Sequence, residues 1–312
     1  GLELLHQLVF TLNKFGSDAS IAYTNINSSN PINEAYKKYV DSYVEFSKIK
    51  DSSENLVIIS EHQVELMDNF SNAEVAIWWL SVDNYQKVYD YKVAYKLLGI
   101  KGVAWYIKNK RWKYKIKKIN KKINYNFAQS YYAIDFLEKN NFKNIYFLSD
   151  YINSDYLNVE INGDEVRQNN VLYNPKKGLK FTNYLKKLDS TINWIPLINL
   201  TNSQVRDLLL TSKVYIDFGN HPGKDRFPRE AAICGCCVIT GKKGSAGYFD
   251  DVPILPKYKF DDSKANAESI IEKIHYCLEN YNESSEEFYE YRKMIANEEK
   301  KFNSDVKGIF ID

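Results

Sequence analysis

The sequence predicts two tandem α/β domains, each built on a parallel β-sheet, and three observations carry that expectation. The chain has 312 residues, more than one hydrophobic core usually serves. Short apolar runs without alternation, such as 55–60 (NLVIIS) and 75–80 (VAIWWL), have the pattern of parallel strands covered on both faces. Amphipathic helical stretches fall between some of these runs, the order that builds a parallel sheet.

The first domain is expected over 1–155. Leucines and a valine recur with helical spacing from Leu2 to Leu12, and Gly16 closes that helix. Strands follow at 20–23, 55–60, 75–80, 103–107, 127–129 and 145–148, with a helix over 131–139. The chain opens at Gly1 already inside a helical pattern, so a further strand is expected upstream of it. The polar stretch 153–168 loses all periodicity and marks the boundary.

The second domain, 156–290, restarts with a strand at 170–173, the turn Asn174-Pro175-Lys176-Lys177-Gly178 and a helix to 188. A strand at 193–198, a helix capped by Thr201 and a strand at 214–218 come next. A helix over 229–234 is stopped by Gly235, and a buried strand at 236–240 follows. From 265 onward the pattern is helical, and 291–312 is expected to pack back on the first domain.

Composition fits a globular protein: 44% apolar and 26% charged residues with seven prolines. The net charge of +2 is uninformative, but its distribution is not. Between Tyr91 and Ile134 stand twelve Lys or Arg and no acid, which suggests an anionic surface or ligand for that segment. No run of about 18 apolar residues exists to span a membrane. Cys234, Cys236 and Cys237 crowd together and Cys277 stands apart, which is no disulfide framework; small buried thiols in a reducing cytoplasm are the simpler reading.

The richest stretch is 214–251, reading strand, loop, helix, glycine stop, strand, glycine-rich loop. The loop 219–228, with Gly219, Asn220 and Arg226, lies at a strand's C-terminal end, where open α/β sheets hold ligands. The helix after it directs first-turn N–H groups to the same space. Glu230 is expected in that first turn, able to accept hydrogen bonds from a diol such as a ribose. Lys242, Lys243, Gly244 and Ser245 form a second loop suited to a pyrophosphate.

These residues resemble the GT-B-fold glycosyltransferases, specifically the large retaining group with a Glu, seven residues, then a second Glu opening a helix. The run Glu230-Ala231-Ala232-Ile233-Cys234-Gly235-Cys236-Cys237-Val238-Ile239 matches that helix and the strand after it. Asn174 to Gly178 sits where the group places a Lys-Gly segment on the donor diphosphate. The start, Gly1-Leu2-Glu3-Leu4-Leu5-His6, is similar to its first-domain G-G-x-E helix. The resemblance implies two Rossmann-like domains facing across a cleft, an acceptor in the first and a nucleotide sugar in the second, with Glu230 on the ribose. Eight residues before Glu230 stands Pro222 rather than the first Glu, and the upstream Arg of the phosphate pair is absent from its usual place.

Glycosyl transfer builds negative charge on the leaving diphosphate, so Lys176, Lys177, Lys242 and Lys243 are the expected stabilisers, without metal or resident cofactor. Where a base is needed, His62, Asp83, His221 and Asp225 are the candidates. The segment 108–122 reads as a docking surface for anionic lipid through Lys108, Arg111, Lys117, Lys118, Lys121 and Lys122. Its expected interfacial anchors are Trp105, Tyr106, Trp112, Tyr114, Ile116 and Ile119; a solvated helix face and nucleic-acid binding are the other readings of that block. The expected function is transfer of a sugar, UDP-linked by family frequency, to a glycan or lipid-linked glycan in bacterial surface polysaccharide or capsule synthesis. The enzyme would be cytoplasmic, on the inner face of the plasma membrane. The competing readings are a sugar-nucleotide epimerase and a non-enzymatic membrane or nucleic-acid adaptor.

Overall fold

The structure is a computed structural model describing residues 2–24, 26, 31–158 and 167–312. Gly1 and residues 159–166 of the expected boundary stretch lie outside the described residues. The chain divides into two compact units, Gly1–Asp150 with Lys300–Asp312, and Tyr151–Glu299.

The first unit opens with α1 (Leu2–Lys14) and a two-stranded parallel ribbon, β1 (Ala22–Tyr23) with β2 (Val44–Glu45). Its main sheet is β3 (Leu56–Ser60), β4 (Glu74–Trp79), β5 (Tyr125–Ala128) and β6 (Ile145–Phe147), all parallel and in that spatial order. Between β4 and β5 run α2 (Val82–Tyr89), α3 (Tyr91–Lys108) and α4 (Ile116–Lys122); α5 (Tyr131–Lys139) joins β5 to β6. Ser81 and Ser130 cap α2 and α5 through side-chain oxygens that accept from Asn84 N and Ala133 N, satisfying first-turn donors. Strand β4 is buried on both faces, and its two tryptophans are core residues. The indole of Trp78 donates to the Leu148 carbonyl at 2.9 Å and that of Trp79 to Asn126 Oδ1 at 3.0 Å.

Two expectations fail here. Residues 103–107 are helical, inside α3, rather than a strand. A five-residue apolar run carries no period that separates strand from helix, and lysines on either side hide the helical context. The strand at 20–23 shrinks to the two residues of β1.

The second unit comprises α6 (Ser154–Leu157), β7 (Gln168–Tyr173), α7 (Leu179–Leu188), β8 (Asn193–Pro196), α8 (Asn202–Thr211), β9 (Ser212–Asp217), α9 (Arg226–Ile233) and β10 (Cys237–Thr240). Next come α10 (Ala267–Glu279), α11 (Tyr281–Glu286), α12 (Tyr289–Ala296) and α13 (Glu298–Phe310). Residues 300–312, most of α13, are grouped with the first unit. The sheet is parallel in the order β10-β9-β7-β8. From β7 the chain steps to β8 on one side and then crosses back to β9 on the other, so the winding reverses between β7 and β9. Thr201 and Gln204 form a reciprocal capping box on α8.

Helix α9 starts at Arg226, three residues before the expected 229. Pro228 falls in the first turn, where no backbone N–H is required and proline is tolerated. Glu230 therefore lies in the second turn, not the first. No helix among the described residues is long and apolar enough to cross a membrane.

Candidate functional site

In a doubly wound sheet the crevice for ligands opens at the C-terminal strand ends where the winding reverses. In the second unit that place lies beyond β7 and β9. The register keeps the ends level: Tyr173 pairs with Ile216, and Asp217 with Thr240. Three loops leave from here, 174–178 after β7, 218–225 after β9 and 241–247 after β10.

Glycine lets these loops close on one another. Gly178 has φ +60°, and a Cβ on it would lie 2.7 Å from the Phe218 carbonyl carbon. Gly244 has φ +63°, and a Cβ there would meet the His221 carbonyl oxygen at 1.9 Å, so no side chain fits. Ser245 N donates to that same carbonyl at 2.9 Å, and Ser245 Oγ donates to the Gly223 carbonyl at 2.7 Å. Gly244 and Ser245, expected as diphosphate contacts, thus tie one loop to the other.

At the base of this crevice four charged side chains converge. Asp217 ends β9 and is buried; its carboxylate accepts from Gly219 N at 2.9 Å and from the Tyr215 hydroxyl at 3.1 Å. His221 is fully buried between two acids, with Nε2 3.4 Å from Asp217 Oδ1 and Nδ1 3.1 Å from Asp225 Oδ2. The Lys177 ammonium forms an ion pair with Asp225. Burial works to lower the His221 pKa, but the charges of Asp217 and Asp225 outweigh it and hold it above its usual value. Burial works to raise the Asp217 pKa, and the facing imidazole, the Gly219 N–H and Lys177 pull it below the usual range. Two carboxylates thus face one imidazole and one ammonium.

Asp217, His221 and Asp225 also form the one group among the described residues that could share a metal ion, with one ligand atom from each within 4.8 Å. Lys177 already sits on the Asp225 carboxylate. The cysteines form no such group. Cys234, Cys236 and Cys237 are all buried, and burial pushes the Cys236 thiol up to about 12.

One turn into α9, Glu230 is buried except for its edge. Its charge, after burial itself, raises the pKa of the Tyr156 phenol, which places that ring in its field. The neighbouring Arg229 is buried completely. It donates to the carbonyls of Lys224 at 3.0 Å and Asp225 at 3.2 Å, and to Glu298 Oε2 at 2.8 Å. Lys224 Nζ reaches Glu298 Oε1 at 2.8 Å. The loop is thereby clamped from below.

The remaining expected donor residues lie nearer solvent. Lys176 and Asn220 are exposed and Arg226 is half-buried at the start of α9. Lys242 and Lys243 are exposed and face Asp261 and Asp262; such surface pairs contribute only about 0–1 kcal/mol and yield readily to a competing anion.

In the first unit, His62 and Asp83 follow β3 and β4 as expected but are held by different partners. His62 Nδ1 lies 3.1 Å from Ser60 Oγ, and burial, against the charge of Glu65, lowers its pKa. Asp83 Oδ1 accepts from the Tyr132 hydroxyl at 2.7 Å. Immediately before His62 stands Glu61, which no sequence signal marks. It is buried, accepts from Leu80 N at 3.0 Å, and burial pushes its pKa up to about 7. Glu3 on α1 is buried and accepts from the Tyr39 hydroxyl at 3.2 Å.

The segment 108–122 differs from its expected form. It is not one helix face but the end of α3, a 3-10 turn (Arg111–Tyr114) and α4. Tyr106 and Ile119 are buried, and Tyr114 and Ile116 pack against the core, so these four are not surface anchors. Arg111 pairs with Glu65 at 2.6 Å, and Lys118 and Lys122 pair with Asp68 at 3.3 and 3.4 Å. Lys108, Trp112, Lys117 and Lys121 are exposed.

No protein-family model matches the chain, and no curated protein matches it at a significant level. Solved structures do. HepE from Anabaena, solved with UDP, superposes with a TM-score of 0.64 at 10% identity, over 99% of this chain and 95% of its own. A glycosyltransferase from Rickettsia africae gives 0.57 at 16%, over 100% and 96%. TarM gives 0.60 at 16%, over 85% of this chain and 56% of its own length, so the chain spans little more than half of TarM. At such identities the likeness establishes the fold: two Rossmann-like α/β units of the GT-B type.

Proposed function

We propose that this chain is a glycosyltransferase that moves a sugar from a nucleoside diphosphate to a hydroxyl. The observation that carries the reading is the meeting of Lys177, His221 and the glycine loops at the strand-order reversal of the second unit, one helix turn before Glu230. An incoming diphosphate competes with Asp225 for Lys177 and meets the free N–H groups at the start of α7, which Gly178 leaves without a side-chain cap. Glu230 accepts hydrogen bonds from the ribose hydroxyls.

As the anomeric C–O bond breaks, its electron pair moves onto the diphosphate, and Lys176, Lys177, Lys242 and Lys243 stabilise the growing charge without a metal. The anomeric carbon bonds the acceptor oxygen, whose proton passes to a phosphate oxygen or to a base among His62, Asp83 and Asp225; His221, buried between two carboxylates that favour its protonated form, is left out of that role. UDP as the nucleotide is supported by HepE and by S. aureus TarM, both solved with UDP. A hexose, a glycan or lipid-linked acceptor, a role in bacterial surface polysaccharide and capsule, and work at the cytoplasmic face of a membrane complete the proposal.

The test is release of nucleoside diphosphate from a panel of UDP-, GDP- and dTDP-sugars, with and without glycan acceptors. Acceptor-dependent release of one nucleotide supports transfer. Interconversion of the sugar without release would favour an epimerase, and inertness of a folded sample toward every donor refutes the proposal.

A further inference from the structure

The densest run of exposed large hydrophobic side chains among the described residues has no part in the proposed donor site. Of nineteen large hydrophobic side chains that are exposed, eight fall between Tyr91 and Trp112. Helix α3, which carries most of them, is not straight. Gly99 breaks it with φ +60° and ψ −144°, and the second arm folds back so closely that a Cβ on Gly102 would stand 2.2 Å from the Ala94 carbonyl oxygen. Only glycine permits either feature. Ala94, Gly102 and Tyr106 are buried where the arms meet. At the tip, Leu98 is 65% and Ile100 81% exposed, and Ile107 on the returning arm 60%. Lys92, Lys96, Lys101 and Lys108 are exposed along the two arms.

We infer that this helical hairpin docks on an anionic lipid bilayer, its tip inserted among the headgroups and its lysines on the phosphates. A projecting aliphatic tip ringed by cations suits an interface that is apolar inside and negative outside. Trp105 and Trp112 belong at the boundary of such an interface. A second copy of the chain is a poor occupant, since it would bring its own acid-free segment of twelve cations against the first. Nucleic acid would engage the lysines but gains nothing from Leu98 and Ile100. The inference names the anchor of the surface role proposed above and does not depend on the donor site.

The experiment is co-sedimentation of the full chain with phosphatidylcholine vesicles with and without phosphatidylglycerol, across a salt series. Wild type binds the anionic vesicles and keeps part of that binding at high salt. The Leu98→Glu/Ile100→Glu variant loses about tenfold or more in partition at every salt concentration, while Lys101→Glu/Lys108→Glu loses binding chiefly at low salt. The thermal shift with UDP is the same in wild type and both variants, so failure here is distinct from failure of the donor reading. Absence of wild-type binding, or full binding by the tip variant, overturns the inference. So does a wild-type dimer that the tip variant dissolves, or an oligonucleotide complex equally weakened by it.

Discussion

The Arg229 guanidinium donates to the Glu298 carboxylate at 2.8 Å, with both side chains out of water. Through its other nitrogens Arg229 holds the Lys224 and Asp225 carbonyls, so this one pair fixes the loop that carries His221 and Asp225. Removing one partner of a buried ion pair leaves the other charge stranded, at a cost of about 3–5 kcal/mol. Glu298→Ala should lower the unfolding free energy of the second unit by about that amount, read by urea denaturation. A change under about 1 kcal/mol would mean that the clamp is solvated.

The buried imidazole makes stability depend on pH. The folded pKa of His221 lies above its ordinary value of about 6.5. Its contribution is complete below pH of about 6.5 and is lost as pH rises through the folded value. Asp217, held below its ordinary range, contributes above that range and loses its share as pH falls through its folded pKa. His221→Gln should therefore flatten the alkaline side of the melting-temperature profile and leave the variant relatively more competitive at high pH. An unchanged alkaline slope would show that the ring is neutral throughout.

Glu61, in the first unit, acts in the same sense as His221 and opposite to Asp217. Burial raises its pKa to about 7 from 4.5. Between those values the folded protein holds a proton that the unfolded chain has released, so stability falls as pH rises across that window. Glu61→Gln keeps an acceptor for Leu80 N and removes the titration. The variant should gain up to about 3 kcal/mol over wild type above pH of about 7, read by denaturant midpoints from pH 4 to 8. Parallel profiles would contradict the assignment.

The lysines of the proposed donor site should separate by ligand. Lys177→Ala should weaken UDP binding by about tenfold or more and leave uridine binding little changed, the outcome expected of a lysine proposed to hold the diphosphate and not the nucleoside. Lys242→Ala and Lys243→Ala should leave melting temperature within error, since their partners are surface acids. Equal loss of uridine and UDP in Lys177→Ala would move that lysine away from the diphosphate.

Strand β4 and the apolar parts of β3, β7 and β9 were legible because parallel strands covered by helices leave short continuous apolar runs, and Thr201 announced α8 by its cap. Helix α3 was not legible: its apolar residues face outward at the tip as well as inward, so no helical period survives. The same mixture concealed the hairpin, whose two defining glycines look like any others in sequence. At the candidate site, Glu230, His221 and Asp225 were singled out from the strand-loop-helix pattern of 214–251, and Lys177 from the turn 174–178 and its resemblance to a Lys-Gly segment. Asp217, Arg229 and Glu298 were missed. Asp217 closes a strand, and the partnership of Arg229 spans 69 residues, a separation that no local pattern encodes. Tyr114, Ile116 and Ile119 were misplaced because a basic helix with scattered apolar residues reads the same whether that face meets lipid or core.

The central claim is that the second unit grips a nucleoside diphosphate with Glu230 on the ribose. Isothermal titration of the purified chain with UDP tests it most directly, with Glu230→Ala and 2′,3′-dideoxy-UDP as the paired controls. One saturable site is expected in wild type, weakened about 10- to 100-fold by either change and no further by both together. A well-folded protein that takes up UDP with the same affinity after Glu230→Ala, or that gives no heat with any nucleotide, would contradict it.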